Sequence, residues 1–394
     1  MINTTLINVT NALVNATNTS SSSRLAFLRP LLNPVFLAFI FPILLVIVIL
    51  IFVIRNVAPV GHFIYANARI QARSNYMVTD GLLLDLTEAK SLKEFRSLLG
   101  ETTYTEELEK SKEELRSFHI ALEKGFIDSI LELVELSPKK SKSLLNAYLM
   151  FFEAKILKII YRARLVKEKI DESLVYAIGD INENLLKHLL KTESVADIKV
   201  VMAHTEYAEI FEKEYVNLEE FEVEIDEFVL NNFVNVVEKT KMYDGKYIID
   251  ILNKKIDISN ILALLKFRIR GTEKEKQKKL IINNETELAK RFDNLISAAS
   301  VQDFVEVFKG LDYYEPMSKA LKDYEKNGAM AHFETEVYRY FKKYVTDNDL
   351  NHTLGPYPLF SYLIKKELEL RNMFIISRGI ESCFSVDKLK RMII

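Results

Sequence analysis

SLKEFRSLLGETTYTEEL at residues 91–108 returns as SVADIKVVMAHTEYAEIF at 194–211 and as SVQDFVEVFKGLDYYEPM at 300–317. The three stretches align without a gap. Each opens on a serine (Ser91, Ser194, Ser300) followed three residues later by an acid (Glu94, Asp197, Asp303), the arrangement of a capping box at a helix start. Core-type side chains follow in register at Phe95, Ile198 and Phe304, at Leu98, Val201 and Val307, and at Leu99, Met202 and Phe308. A tyrosine closes each helix at Tyr104, Tyr207 and Tyr313, with a glutamate two positions on (Glu106, Glu209, Glu315) and then Leu108, Phe211 or Met317.

A second block follows each of the first. It begins with an acid at Glu153, Asp257 and Glu369 and continues through Leu157, Ile261 and Met373, then Ile160, Leu264 and Ile376. It ends on a base at Arg162, Lys266 and Arg378. Two copies share an asparagine, Asn260 and Asn372, where the first has Ile156. Any helical protein offers capping boxes and apolar spacing of this kind, but two blocks in the same order three times mark an internal repeat. The interval, roughly 105 to 110 residues, exceeds the 20 to 50 of solenoid units. Each repeat therefore reads as a small helical domain, at 60–175, 176–282 and 283–394. Three such domains are expected to pack about a pseudo-threefold axis, as a ring, funnel or socket, by analogy with closed trimers.

The intervening sequence is helical too. No proline lies between Pro138 and Pro316, and Leu115, Phe118, Leu122, Phe126, Ile130 and Leu133 advance by three or four, as do Val229, Phe233, Val236 and Val237. Ser137-Pro138 reads as an N-cap with proline in the first turn, restarting a helix. Asp244-Gly245 sits between helical patterns rather than strands. The fold class is all-α.

The amino terminus differs. Val35–Ile54 is twenty residues without a charge or polar side chain, the length that crosses a hydrocarbon core of about 30 Å as a helix. A polar tail rich in Asn, Thr and Ser (1–34) precedes it, with N-x-S/T sequons at Asn3, Asn8, Asn15 and Asn18. Arg24 and Arg29 flank one side of the run, and Arg55, Arg69 and Arg73 the other, which slightly favours the large body on the cytoplasmic side. A cleavable signal fits poorly, because its apolar core is shorter and lies nearer the start. The competing explanation is a start assigned too far upstream, although the next methionine is Met77.

Composition excludes more than it assigns. Of 394 residues 49% are apolar and 27% charged, with a formal net charge of −2. No acid precedes Asp80, so the body is mildly acidic and offers no basic face for nucleic acid. Eleven glycines, none within five positions of another, exclude GxGxxG and a Walker-type loop. The single Cys383 excludes an internal disulfide. The six histidines (His62, His119, His188, His204, His332, His352) form no H-E-x-x-H. Runs such as Glu273-Lys274-Glu275-Lys276 read as a solvated helix face. No catalytic, cofactor-binding or metal-binding residue is singled out, and no cofactor is expected.

The three-copy pattern, with Tyr65-Ala-Asn67-Ala-Arg69 near the start of the body and Gly355-Pro356-Tyr357-Pro358-Leu359-Phe360 followed by Glu367, Glu369, Arg371-Asn372, Ile376 and Arg378-Gly379 near its end, resembles the C subunit of archaeal-type (A/V-type) ATP synthases. The eukaryotic vacuolar relative is the d subunit of the vacuolar ATPase. The resemblance covers about residues 60–394. It implies a funnel of three similar helical domains that stands on the proteolipid ring of the membrane sector, receives the central shaft made of the D and F subunits, and transmits torque without chemistry. The implied location is the cytoplasmic face of the cell membrane. Ile156 and Arg162 make the first repeat the most diverged, and members commonly begin near the Tyr65 motif, without a membrane span.

Glu153, Arg162, Asp257, Lys266, Glu369 and Arg378 are the candidates for interdomain or partner contacts, although exposed ion pairs contribute only about 0–1 kcal/mol each and solubility explains them equally well. The repeated Tyr-x-Glu reads as structural, ending a helix at a turn. A span tethered to a rotating socket is expected inside the proteolipid ring, where it avoids the stator. The alternative function is a membrane-anchored helical scaffold unrelated to the ATPase; an enzyme without a recognisable motif is a third.

Overall fold

The structure, a computed structural model, describes residues 34–100, 102–137, 139–241, 244–349 and 351–394, with backbone alone at 34–37, 39, 56–60, 62, 136 and 140. Among these no strand forms; one isolated bridge joins Ile178 and Ile181. The all-α expectation holds. The sequons of the polar tail lie outside the described residues.

In chain order the helices are α1 (Pro34–Ser74), α2 (Asp80–Glu88), α3 (Leu92–Leu98), α4 (Thr105–Lys110), α5 (Leu115–Leu136), α6 (Lys139–Leu165), α7 (Glu183–Lys191), α8 (Val195–Met202), α9 (Ala208–Glu212), α10 (Leu218–Lys239), α11 (Gly245–Arg270), α12 (Lys274–Lys279), α13 (Phe292–Ser297), α14 (Val301–Glu306), α15 (Tyr314–Asn327), α16 (Ala331–Asp349), α17 (Tyr357–Glu381) and α18 (Val386–Met392). The described residues divide into two compact units, with the boundary between Ala58 and Pro59.

Among the described residues no helix is long and apolar enough to cross a membrane, so the span expected at 35–54 is not established. That run falls in part on residues without described side chains. Where they are described, Phe41 and Ile43–Ile54 are all exposed, at 45–69%.

In the large unit six long helices pack in a closed order. α5 meets α6, α6 meets α10, α10 meets α11, α11 meets α16, α16 meets α17, and α17 returns to α5. Spacing explains the inward face of every second one. Phe118, Leu122, Phe126 and Ile130 on α5, Ile225, Val229, Phe233 and Val237 on α10, and Phe333, Val337, Phe341 and Val345 on α16 are buried stripes four residues apart. The alternate helices α6, α11 and α17 carry the second block. Burial on many faces makes them the core elements, most of all α17 with Tyr357, Leu359, Phe360, Leu363, Ile364, Leu368, Met373 and Ile376 enclosed.

The first block folds as short helices with the expected caps. Ser194 and Ser300 accept from the N–H of Asp197 and Asp303, whose carboxylates reach back to the serine N–H at 2.9 and 3.0 Å. Ser91 accepts from the Glu94 N–H, and the Glu94 carboxylate accepts from the Lys90 N–H at 2.8 Å, as Asp197 also does from the Glu193 N–H at 3.0 Å. Two expectations are corrected. Tyr104, Tyr207 and Tyr313 do not close a helix; each is the N-cap of the next, and none caps with its side chain. Ser137 ends α5 rather than starting α6, which begins at Lys139.

The shared asparagines clamp backbone. Asn260 donates to the Ile282 carbonyl at 2.8 Å and accepts from its N–H at 3.0 Å. Asn372 does the same to Ile394, also 22 positions on, at 2.8 and 2.9 Å. In the first copy Ile156 cannot hydrogen-bond, and the matching residue Ile178 exchanges both backbone bonds with Ile181, each at 3.0 Å. That local bridge replaces the missing amide. A substitution of Asn372 by Ala should therefore lower stability by about 2 kcal/mol, since buried backbone groups of Ile394 lose their partners. Urea unfolding of the two proteins checks this; equal midpoints would contradict the clamp.

Candidate functional site

The three acids of the second block are buried, with exposures of 2% at Glu153, 3% at Asp257 and 6% at Glu369. A buried carboxylate is tolerated only where donors converge on it, and here, Lys366 beside Glu369 apart, the donors come from the following copy.

Glu153 on α6 accepts from the Asp180 N–H at 2.9 Å and from the Tyr207 hydroxyl at 2.8 Å. Gly179 makes the first of these possible. Its φ is +54°, and a Cβ there would collide with Glu153 Oε1. Asp257 on α11 accepts from Asn284 Nδ2 at 2.8 Å, 27 positions on as Asp180 is from Glu153, and from Thr286 at 2.8 Å and the Tyr313 hydroxyl at 3.1 Å. Glu369 on α17 accepts from the Val78 N–H at 2.9 Å, near the start of the large unit, with Tyr104 packed beside it. The acid of each copy thus meets the tyrosine of the next, and the last meets the first.

The third joint differs in chemistry. Lys366, itself fully buried, donates to Glu369, lies 4.1 Å from the centre of the Tyr104 ring, and donates to Thr103 at 2.9 Å. The ammonium takes the place that the phenol holds in the other joints, and the Tyr104 hydroxyl is left without a hydrogen bond of good geometry. Burial pushes the Lys366 pKa down, opposed by Glu369. Burial likewise raises the Asp257 carboxyl against its three donors. At Glu153, burial drives the carboxyl from 4.5 to about 7; the two donors oppose this, while Asp180 and Glu206 add to it.

The bases of the second block do not join these centres. Arg162, Lys266 and Arg378 are exposed, and nine residues along a helix is about 13 Å, beyond ion-pair reach of the acids. Arg378 instead stands near His119, whose pKa falls to about 4 through burial and that positive charge. His119 lies 2.8 Å from the Ser377 hydroxyl, between α5 and α17.

The second-block helices also converge at one further point. Glu367 on α17 accepts from the Tyr148 hydroxyl of α6 and from the Lys255 ammonium of α11, both at 2.7 Å and on the same oxygen. Beside it Phe360 packs on Tyr148 and Phe233, at 6.0 and 5.3 Å between ring centres. The roles of the tyrosines, Gly179, Lys366 and Lys255 do not follow from sequence spacing. The one available signal is that Tyr and acid recur together in every copy, which the turn reading of Tyr-x-Glu leaves unused. Among the described residues no group of three or more His, Cys, Asp or Glu is placed to hold a metal ion.

The profile of the ATP synthase (C/AC39) subunit family matches residues 66–392. Among curated proteins, the C subunit of the A-type ATP synthase of Methanocaldococcus jannaschii is 26% identical, over 84% of this chain and 86% of its own length. The corresponding C subunits of the A-type ATP synthases of Pyrococcus abyssi and Pyrococcus furiosus are each 24% identical, over 84% of this chain and 89% of theirs.

The Glu153 joint predicts a pH dependence. Its pKa is higher folded than unfolded, so its contribution to stability is present in full below about pH 4.5 and is lost as pH rises through about 7. Glu153→Gln removes that slope. Urea midpoints of both proteins between about pH 5 and 8 test it; an unchanged slope in the variant would place the titration elsewhere.

Proposed function

The chain belongs to the ATP synthase (C/AC39) subunit family, and from that membership we propose that it is a non-catalytic central-stalk subunit of an A/V-type ATP synthase. In this reading residues 59–394 are a socket between the rotating shaft, made of the D and F subunits, and the proteolipid ring, and they transmit torque for ion-coupled ATP synthesis or hydrolysis. The repeats 60–175, 176–282 and 283–394 are the three domains of its funnel.

The observation that carries the reading is the closed order of six helices, with buried acids linking each copy of the motif to the next. A coupler has to resist twist. An open chain of domains yields at its weakest junction, whereas a closed one must break two at once. Close-packed interiors respond to strain as solids do, and the joints add directional bonds to that packing. Exposed Arg162, Lys266 and Arg378 are then available to neighbouring domains or to partners.

The exposed apolar run on α1 favours an addition. Phe41 and Ile43–Ile54 are each 45–69% exposed, and exposed apolar surface of this kind is more stable in hydrocarbon than in water. We propose that this segment spans the membrane inside the proteolipid ring and turns with it, with the body on the cytoplasmic face.

Purification from native membranes through a tag at the carboxyl terminus is expected to bring down the proteolipid and both shaft subunits, with peptides from residues 1–55 present in the digest. A chain recovered alone would favour the unrelated membrane-anchored scaffold. Crosslinks from the span exclusively to the membrane-embedded stator protein would refute its place within the ring.

A further inference from the structure

The two asparagine clamps set a register between α12 and α18 that exposes a difference in charge. Ile282 and Ile394 are held alike, so Lys276 and Lys279 correspond to Lys388 and Arg391, six and three positions before the clamped residue. The facing helices align through their buried stripes, Ile225, Val229, Phe233 and Val237 against Phe333, Val337, Phe341 and Val345. In the second copy Lys276 and Lys279 pair with Glu219 and Glu220 at 3.5 and 3.7 Å. Those two acids stand six and five positions before Ile225; the same positions before Phe333 hold Asn327 and Gly328.

The third copy has thus kept the cations and lost their partners. It has also gained positive charge on the facing side. Lys388 and Arg391 line a crevice of about 710 Å³ with Lys319, Lys326, His332 and Arg339. Two acids offset part of this charge: Glu336 is shared by Lys319 and Arg339 at 2.8 and 2.7 Å, and Asp323 pairs with Lys326 at 2.8 Å. Among the described residues no acid pairs with Lys388 or Arg391. Lys388 instead rests 3.2 Å from the centre of the Phe384 ring. Asn327 and His332 hydrogen-bond each other at the rim, at 3.0 Å.

We propose that this crevice between α15, α16 and α18 binds a phosphate-bearing small anion, held chiefly by Lys388 and Arg391. Its volume is that of a small-molecule site rather than of a docking face for a protein, and Lys and Arg side chains are the usual phosphate donors. Occupancy has a structural consequence. α18 closes the large unit, with Lys390 paired to Glu88 of α2 at 2.8 Å and Ile394 clamped by Asn372. An anion bridging α18 to α15 and α16 stabilises that closure by mass action.

The test is thermal unfolding of the detergent-solubilised full chain titrated with sodium pyrophosphate, at constant ionic strength. A saturable rise in Tm is expected, with apparent affinity weakened by about tenfold or more in the Lys388→Ala/Arg391→Ala double variant. Lys276→Ala/Lys279→Ala should respond as the wild type does. A parallel titration with monomeric dihexanoyl phosphatidylglycerol separates the sources: a response to the lipid alone assigns a headgroup, and a response to pyrophosphate assigns a free anion. No saturable response to either probe overturns the proposal. So does an equal response in the Lys388/Arg391 variant, or a response confined to an acidic peptide such as oligoglutamate.

Discussion

A carboxylate taken out of water has to find donors within the fold, and in this chain it finds them on the next copy of its own motif. Glu153, Asp257 and Glu369 are each nearly inaccessible to solvent, so each must be satisfied for the surrounding helices to pack. The donors are a backbone N–H or an asparagine at a fixed distance downstream, and a tyrosine that opens the next short helix. For Glu369 the donors are Val78 and Lys366, and the cycle closes on the first copy. Removing one partner leaves a charge or a phenol buried without compensation, a cost larger than the net gain of the bond itself. The joints therefore specify which copy follows which more than they add to total stability.

The same logic accounts for differences between copies. Ile156 replaces the clamping asparagine, and a two-residue bridge at Ile178 and Ile181 takes up the backbone groups that it abandons. Glu153 is held by two uncharged donors while burial raises its carboxyl to about 7; Glu369 has Lys366. The proposed socket needs stiffness at three junctions, not identical chemistry at each, and three solutions to one burial problem agree with that requirement.

Much of this is legible in sequence because it is periodic. Helical class, the capping serines and the recurrent acid all follow from spacing and local propensity. The fate of the bases is not legible. Acid and base recur together on one helix and read alike as interdomain or partner contacts, yet the acid is buried while the base stays exposed. Tyr207 and Tyr313 mislead for a related reason. Their role lies in a contact 54 and 56 positions away, and a turn signal in the local sequence says nothing of where a hydroxyl ends up. Lys366 escapes notice because a lysine on a helix reads as solvated, and only packing against Tyr104 and Glu369 reveals it as enclosed.

The central claim is that the joints form a closed cycle, so that opening one loosens the others. Hydrogen exchange by mass spectrometry on Glu153→Ala against the wild type tests this directly, with Glu153→Gln as a control that keeps the volume. The account predicts that protection falls at the remote joints as well, in the segments containing Val78 and Ile282, and by a similar factor in each. Loss of protection confined to residues 139–212 would contradict it, and would make the copies independent units in contact rather than links of one ring.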